Sequence, residues 1–131
     1  MQVDESFGKI NTGQVFNIPN HMATIYFYNR GFADALLAFK SPCKIAYDFR
    51  DMQAQKKIVT EAFKHVGWKV PQLLEIIKTA RNFYFDQGCQ IKMPTWTNGR
   101  VALIGDAGYA PAFPTGMGVT LAMQGATTQM P

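Results

Sequence analysis

The chain of 131 residues lacks most of the signatures that assign a function at sight. It has no G-x-G-x-x-G after a strand near its start and no Walker A lysine, which excludes a self-contained pyrophosphate cradle of either common kind. It has no G-x-S-x-G, so a hydrolase of the serine type has nothing to stand on. Its two cysteines, Cys43 and Cys89, form no C-x-x-C and have no histidine at metal-ligand spacing, so no metal site is expected. They read as buried reduced thiols, with a disulfide between them as the alternative. The start, Met1 to Lys9, has no apolar run behind a basic stretch, and nowhere do about 18 apolar residues follow one another. The expected address is cytoplasmic, with no membrane partner. Neither a low-complexity tract nor an internal repeat is visible, and disorder is expected only at the ends.

Charge is also sparse. The net charge is +4, but the basic residues are scattered from Lys9 to Arg100 without a cluster or interleaved aromatics. A dispersed charge of this kind is a solvated surface, so no nucleic-acid partner is expected. Hydrophobic residues make up 47% of the chain, enough for one ordinary core.

Gln14 to Ile18, Met22 to Tyr28 and Phe32 to Phe39 are rich in β-branched and aromatic residues, and Pro19-Asn20 and Asn29-Arg30-Gly31 supply turns between them. These predict an antiparallel meander. From Asp51 the period changes to a helical one, with Ala54, Ile58, Val59, Ala62, Phe63 and Val66 on one face. Lys56, Lys57, Glu61 and Lys64 fall off that face; Asp48 or Asp51 caps the start and Gly67 ends the helix. A second helix opens with Pro71 in its first turn and runs to about Ala80, turning Leu73, Leu74, Ile76 and Ile77 inward. Phe83 to Phe85 and Gln90 to Met93 read as two more strands around Asp86-Gln87-Gly88. Asn98-Gly99 makes a tight turn into a last strand.

That last strand opens the one stretch that reads as a site. Val101-Ala102-Leu103-Ile104 is an apolar run that ends at Gly105-Asp106, the pattern of a strand covered on both faces, with a carboxylate at its carboxyl edge. Ligands of open α/β sheets bind at such edges. After Pro111 and Pro114 come Gly116-Met117-Gly118 and a helix start at Val119, whose unpaired N–H groups favour a polar or anionic ligand.

In Gly105-Asp106-Ala107-Gly108, the proline-containing loop and Gly116-Met117-Gly118, the chain resembles the FAD-dependent aromatic-ring hydroxylases of the p-hydroxybenzoate hydroxylase type, including the tetracycline-inactivating monooxygenases. The likeness extends upstream through Phe83 to Asp86, Gln90 to Met93 and Trp96 to Arg100, and more loosely from Gly67-Trp68-Lys69-Val70-Pro71 to Ile18-Pro19-Asn20. Phe113 stands where the family's loop carries a proline, with Pro114 next, Thr120 where it carries an asparagine, and Tyr109 where a histidine is frequent.

The resemblance implies an α+β chain. Residues 1–97 are expected to be part of a substrate-binding domain, an antiparallel sheet with two helices. Residues 98–131 would be one strand and helix of a Rossmann-like FAD domain. It implies that Asp106 accepts a hydrogen bond from a ribityl hydroxyl of FAD and that Gly116, Met117 and Gly118 run along the flavin ring, with Gly105 and Pro114 also among the cofactor-binding residues. His21, Tyr26, Tyr28, Phe83 and Phe85 are candidates to line an aromatic-substrate pocket, although alternating aromatics are also what a plain sheet core provides. The implied activity is hydroxylation of an aromatic or polyketide-like small molecule with FAD, NAD(P)H and O2. The family's enzymes are much longer, and without G-x-G-x-x-G the chain alone is expected to be inactive, so it reads as a fragment. The alternatives are a non-catalytic remnant or stand-alone small-molecule-binding module, and a small nucleotide-binding protein. The strip Val101 to Ile104, patterned for neighbours on both sides, is expected to self-associate or to pair within the chain.

Overall fold

The computed structural model describes residues 7–29, 32–112 and 115–129. Two compact units divide the chain after Phe85.

In the first unit, β1 (Thr12–Ile18), β2 (His21–Asn29) and β3 (Phe32–Phe39) form an antiparallel meander in the order β1-β2-β3. The β1–β2 register pairs Ile18 with His21 around a two-residue loop. Pro19 fixes a negative φ there and Asn20 takes φ 65°, a conformation that asparagine tolerates better than most side chains. Between β2 and β3 the pairing steps from Phe27↔Ala33 to Asn29↔Phe32, so Tyr28 is the extra residue of a β-bulge.

Alternation along the strands decides what the sheet buries. Ala23, Ile25 and Phe27 of β2 and Ala33 of β3 face the helices and are buried. α1 (Met52–Phe63) and α2 (Val70–Thr79) cover that face. Val59, Phe63, Val66, Val70 and Leu74 pack with Ala23, and Leu73 packs with Ile25, Phe27 and Ala33. Asp51 caps α1 by accepting a hydrogen bond from the Ala54 N–H at 2.9 Å. Pro71 sits in the first turn of α2, where its missing N–H leaves no helical bond unmade.

Lys56 departs from the expected surface face of α1. It is buried, and its ammonium donates to the Ala80 carbonyl at 2.6 Å and the Lys78 carbonyl at 3.4 Å. A cation among the last carbonyls of α2 meets the negative end of that helix, which is why a charge is held there without a carboxylate. The left-handed residue after α1 is Trp68, φ 60°, and not Gly67; its ring stacks on Phe16 at 5.5 Å.

Two expected strands are absent. Residues 83–85 and 90–93 form no ladder. Phe83 and Phe85 instead pack their rings against the core of the first unit, with Phe85 edge-on to Tyr47 at 4.8 Å. In the second unit the Ile91 N–H donates to Ala110 O at 3.0 Å, one isolated bond where a strand needs an edge to lie along. Cys43 and Cys89 are free thiols and both are exposed, correcting the expectation of burial. They lie in irregular segments with no apolar layer to receive them.

The second unit contains a short hairpin, β4 (Thr97–Asn98) and β5 (Val101–Ala102), then α3 (Asp106–Tyr109) and α4 (Gly118–Gln129). Gly99 and Arg100 form the two-residue loop, with positive φ at Gly99 alone, the pattern of a type II′ turn rather than one centred on Asn98-Gly99. The strip Val101 to Ile104 is not a strand covered on both faces. It pairs within the chain, through β4 and a bond from Leu103 N–H to Trp96 O, and Val101 is 63% exposed. Its pattern calls for neighbouring strands that the described residues do not supply.

Candidate functional site

The candidate site residues of the second unit stand at the starts of its two helices, Gly105 and Asp106 at α3 and Gly116 to Gly118 at α4. Gly105 is buried at φ 66°, a region open to glycine and costly to other residues. It gives its carbonyl to the N–H groups of Gly108 and Tyr109, starting α3, and puts Asp106 at the first helical position. The Asp106 side chain is exposed, and its carboxylate takes no hydrogen bond or ion pair among the described residues. A carboxylate that merely capped a turn would accept a nearby backbone N–H, as Asp51 does.

α3 and α4 meet through small residues. A side chain at Gly105 would meet the Ala122 β-carbon at 3.5 Å, and one at Gly125 would collide with the Tyr109 hydroxyl. Tyr109 therefore lies directly over Gly125, with Trp96 against its ring at 4.9 Å. Its hydroxyl is buried without a hydrogen-bond partner among the described residues.

At the start of α4, Gly116 takes φ 64° and the Met117 N–H donates to Thr115 Oγ1 at 3.3 Å. Leu121 N–H returns to Met117 O at 2.9 Å, which makes Met117 the residue before the first turn. The N–H groups of Gly118, Val119 and Thr120 consequently have no partner within the helix. Pro114 and Phe113 lie outside the described residues.

The five residues expected to line a substrate pocket do not converge. His21 lies on the helix side of the sheet, with Nε2 3.0 Å from Ala62 O, Nδ1 3.2 Å from Pro19 O and its ring edge-on to Phe63 at 5.1 Å. It docks β2 against α1. Phe83 and Phe85 pack on the core. Tyr26 and Tyr28 lie on the outer face and are exposed, with the Tyr28 hydroxyl donating to Asp34 Oδ1 at 3.2 Å. Partial removal from water, then the hydrogen bond to Asp34 and its charge, raise the Tyr28 phenol above its ordinary pKa of 10.0. Sequence reasoning missed Asp34; its signal was a lone acid in an apolar strand segment, Phe32 to Phe39.

Among the described residues, no His, Cys, Asp and Glu side chains group closely enough to hold a metal ion, and no helix is long and apolar enough to cross a membrane.

No family model matches the chain. A flavin-dependent monooxygenase of Legionella longbeachae serogroup 1 (strain NSW150) is 44% identical over 79 residues, 60% of this chain and 20% of the relative. The FAD-dependent monooxygenase asL6 of Sarocladium schorii is 30% identical over 99 residues, 75% of this chain and 23% of the relative. The chain is therefore flavin-dependent-monooxygenase-like, corresponding to about a fifth of the length of such relatives. Its three-stranded sheet and helices match the crystal structure of tetracycline destructase Tet(55), with a TM-score of 0.74 and 36% identity over 88% of this chain and 30% of the destructase.

Proposed function

We propose that the chain supplies the flavin-ring side and a substrate-facing sheet of a monooxygenase that hydroxylates an aromatic or polyketide-like small molecule with FAD, NAD(P)H and O2. The observation that carries this reading is that one unit holds both an Asp106 carboxylate without a partner among the described residues and a helix start whose first N–H groups are unclaimed there. Asp106 can accept from a hydroxyl of a polyol chain, and the N–H groups of Gly118 and Val119 can face an electron-rich ring edge, since neither donates within α4. Gly116 at positive φ lets the backbone approach a flat ligand without a side chain in between. The flavin, when bound, supplies the redox chemistry; the residues here bind it, orient it and offer donors where negative charge develops. The outer face of the sheet, with its exposed tyrosines, is the substrate wall in this reading, and His21, Phe83 and Phe85 act from behind it as packing.

The test is a titration of the isotope-labelled chain with riboflavin, which carries both ring and ribityl chain. Amide shifts are expected at Gly105, Asp106, Met117 and Gly118, with Asp106→Ala weakening the interaction about tenfold or more, the worth of one charge-assisted hydrogen bond. Shifts confined to other residues, or an affinity indifferent to Asp106→Ala, would remove the assignment.

A further inference from the structure

Asp34 is the only residue bearing a full charge in β1, β2 and β3: no lysine, arginine or second acid occurs among these strand residues. It stands on the outer face, where the sheet carries three half-exposed aromatic rings, Tyr26 at 51%, Tyr28 at 49% and Phe32 at 51%. The ladder brings these rings around it. Tyr26 is its direct cross-strand partner, and Phe32 shares its strand and its face two positions earlier. Tyr28, set out of register by the bulge, donates its hydroxyl to Asp34 Oδ1. On the far side of Tyr26 the pair is Gly13, so no side chain of β1 crowds the ring. The second carboxylate oxygen accepts no bond among the described residues, and no cation pairs with it there.

A carboxylate with aromatic neighbours across and along the ladder is poorly suited to a strongly hydrated inorganic cation, which would have to shed water against apolar surface. It suits a weakly hydrated one. A tertiary or quaternary ammonium attached to an apolar body gains from the ring quadrupoles and from the negative charge, while its methyl groups cover aromatic surface. An anion meets repulsion at the same place, although the chain as a whole carries a net +4.

We propose that Tyr26, Tyr28, Phe32 and Asp34 form a subsite that selects substrates bearing an alkylated ammonium group. This rests on the outer face being the substrate wall, and it assigns that wall a charge preference. Tyr28 sets the orientation of the carboxylate; Asp34 supplies the charge; Tyr26 and Phe32 supply apolar ring surface.

The test compares choline with its uncharged isostere 3,3-dimethylbutan-1-ol, following side-chain and amide resonances of the four residues in the full chain. Choline is expected to bind at least about fivefold tighter, the worth of one exposed cation–π contact with its carboxylate neighbour. Asp34→Asn should reduce that preference to the share carried by the rings while leaving the isostere's affinity unchanged. Should Asp34→Asn unfold the chain, Phe32→Leu keeps apolar area but removes a ring face, and should weaken choline more than the isostere. Equal binding of the two probes to the outer face would overturn the charge preference and leave the substrate wall standing. Absence of any shift on that face with either probe would overturn both.

Discussion

The two units of this chain hold together by different means. Every buried hydrophobic side chain among the described residues lies in the first, between Ala23 and Leu74, where a sheet face and two helices close on one layer. Among its described residues the second has no such layer: the buried positions are Gly105 and Gly108, and Ile91, Met93, Trp96, Val101, Ile104, Met117, Val119 and Met123 remain exposed. The lesson is that the buried core and the glycine turns around Asp106 are separated along the chain. The first unit draws its stability from apolar area, whereas the second is shaped by backbone conformation at glycines and by close helix contact, and keeps polar groups unclaimed at a turn.

Each unit contains one tryptophan, Trp68 and Trp96, so single-tryptophan variants read the two separately. The largest effect is expected from Phe63→Ala, which empties the centre of the first core and should cost about 3–5 kcal/mol of its stability. Urea unfolding followed at Trp68 should show it, while the Trp96 signal stays unmoved. A matching shift at Trp96 would mean that the units unfold as one, and the contrast would fail.

Gly125→Ala addresses the second unit. The new methyl group needs the space of the Tyr109 hydroxyl, so α4 must move away from α3 at a cost of about 1–3 kcal/mol, visible at Trp96. Adding Tyr109→Ala should restore the loss in part, because it vacates the contested space. Without that rescue, the contact between Tyr109 and Gly125 is not what sets the helix pair.

The smallest effect is electrostatic and lies in the first unit. The Tyr28 phenol is raised, so the folded state favours its neutral form. Its contribution to stability is present below the ordinary tyrosine pKa of 10.0 and is lost as pH climbs through the raised value. Phenolate absorbance in the parent and in Asp34→Asn should show the Tyr28 step move down in pH when the carboxylate is removed. No movement would detach Tyr28 from Asp34.

How much was legible follows the same division. The meander, both helices, the Asp51 cap and the Gly105-Asp106 turn could be read because alternation, helical period and glycine chemistry are local properties. Lys56 could not, since its place depends on where the end of α2 arrives, far along the chain. Phe83 to Phe85 has the composition of a strand, but composition does not say whether a sheet edge is on offer; core surface was, and the rings took it. Val101 to Ile104 failed for the related reason that a doubly covered strand is specified by its neighbours as much as by itself. On the substrate side, residue types alone suggested five converging side chains. The parity of strand positions separated them, sending His21 inward and Tyr26 outward.

The bulge at Tyr28 has a bearing on how such a protein can diverge. A residue in a ladder is constrained from both sides, since its exchange must suit its cross-strand neighbours and the layer beneath. Tyr28 has no cross-strand counterpart among the described residues, and its hydroxyl reaches Asp34 on the outer face. Its identity can therefore drift at little risk to register or packing, while each replacement changes how Asp34 is presented. On the proposed reading of that face, a single exchange at this position alters the ligand preference while the meander stays intact.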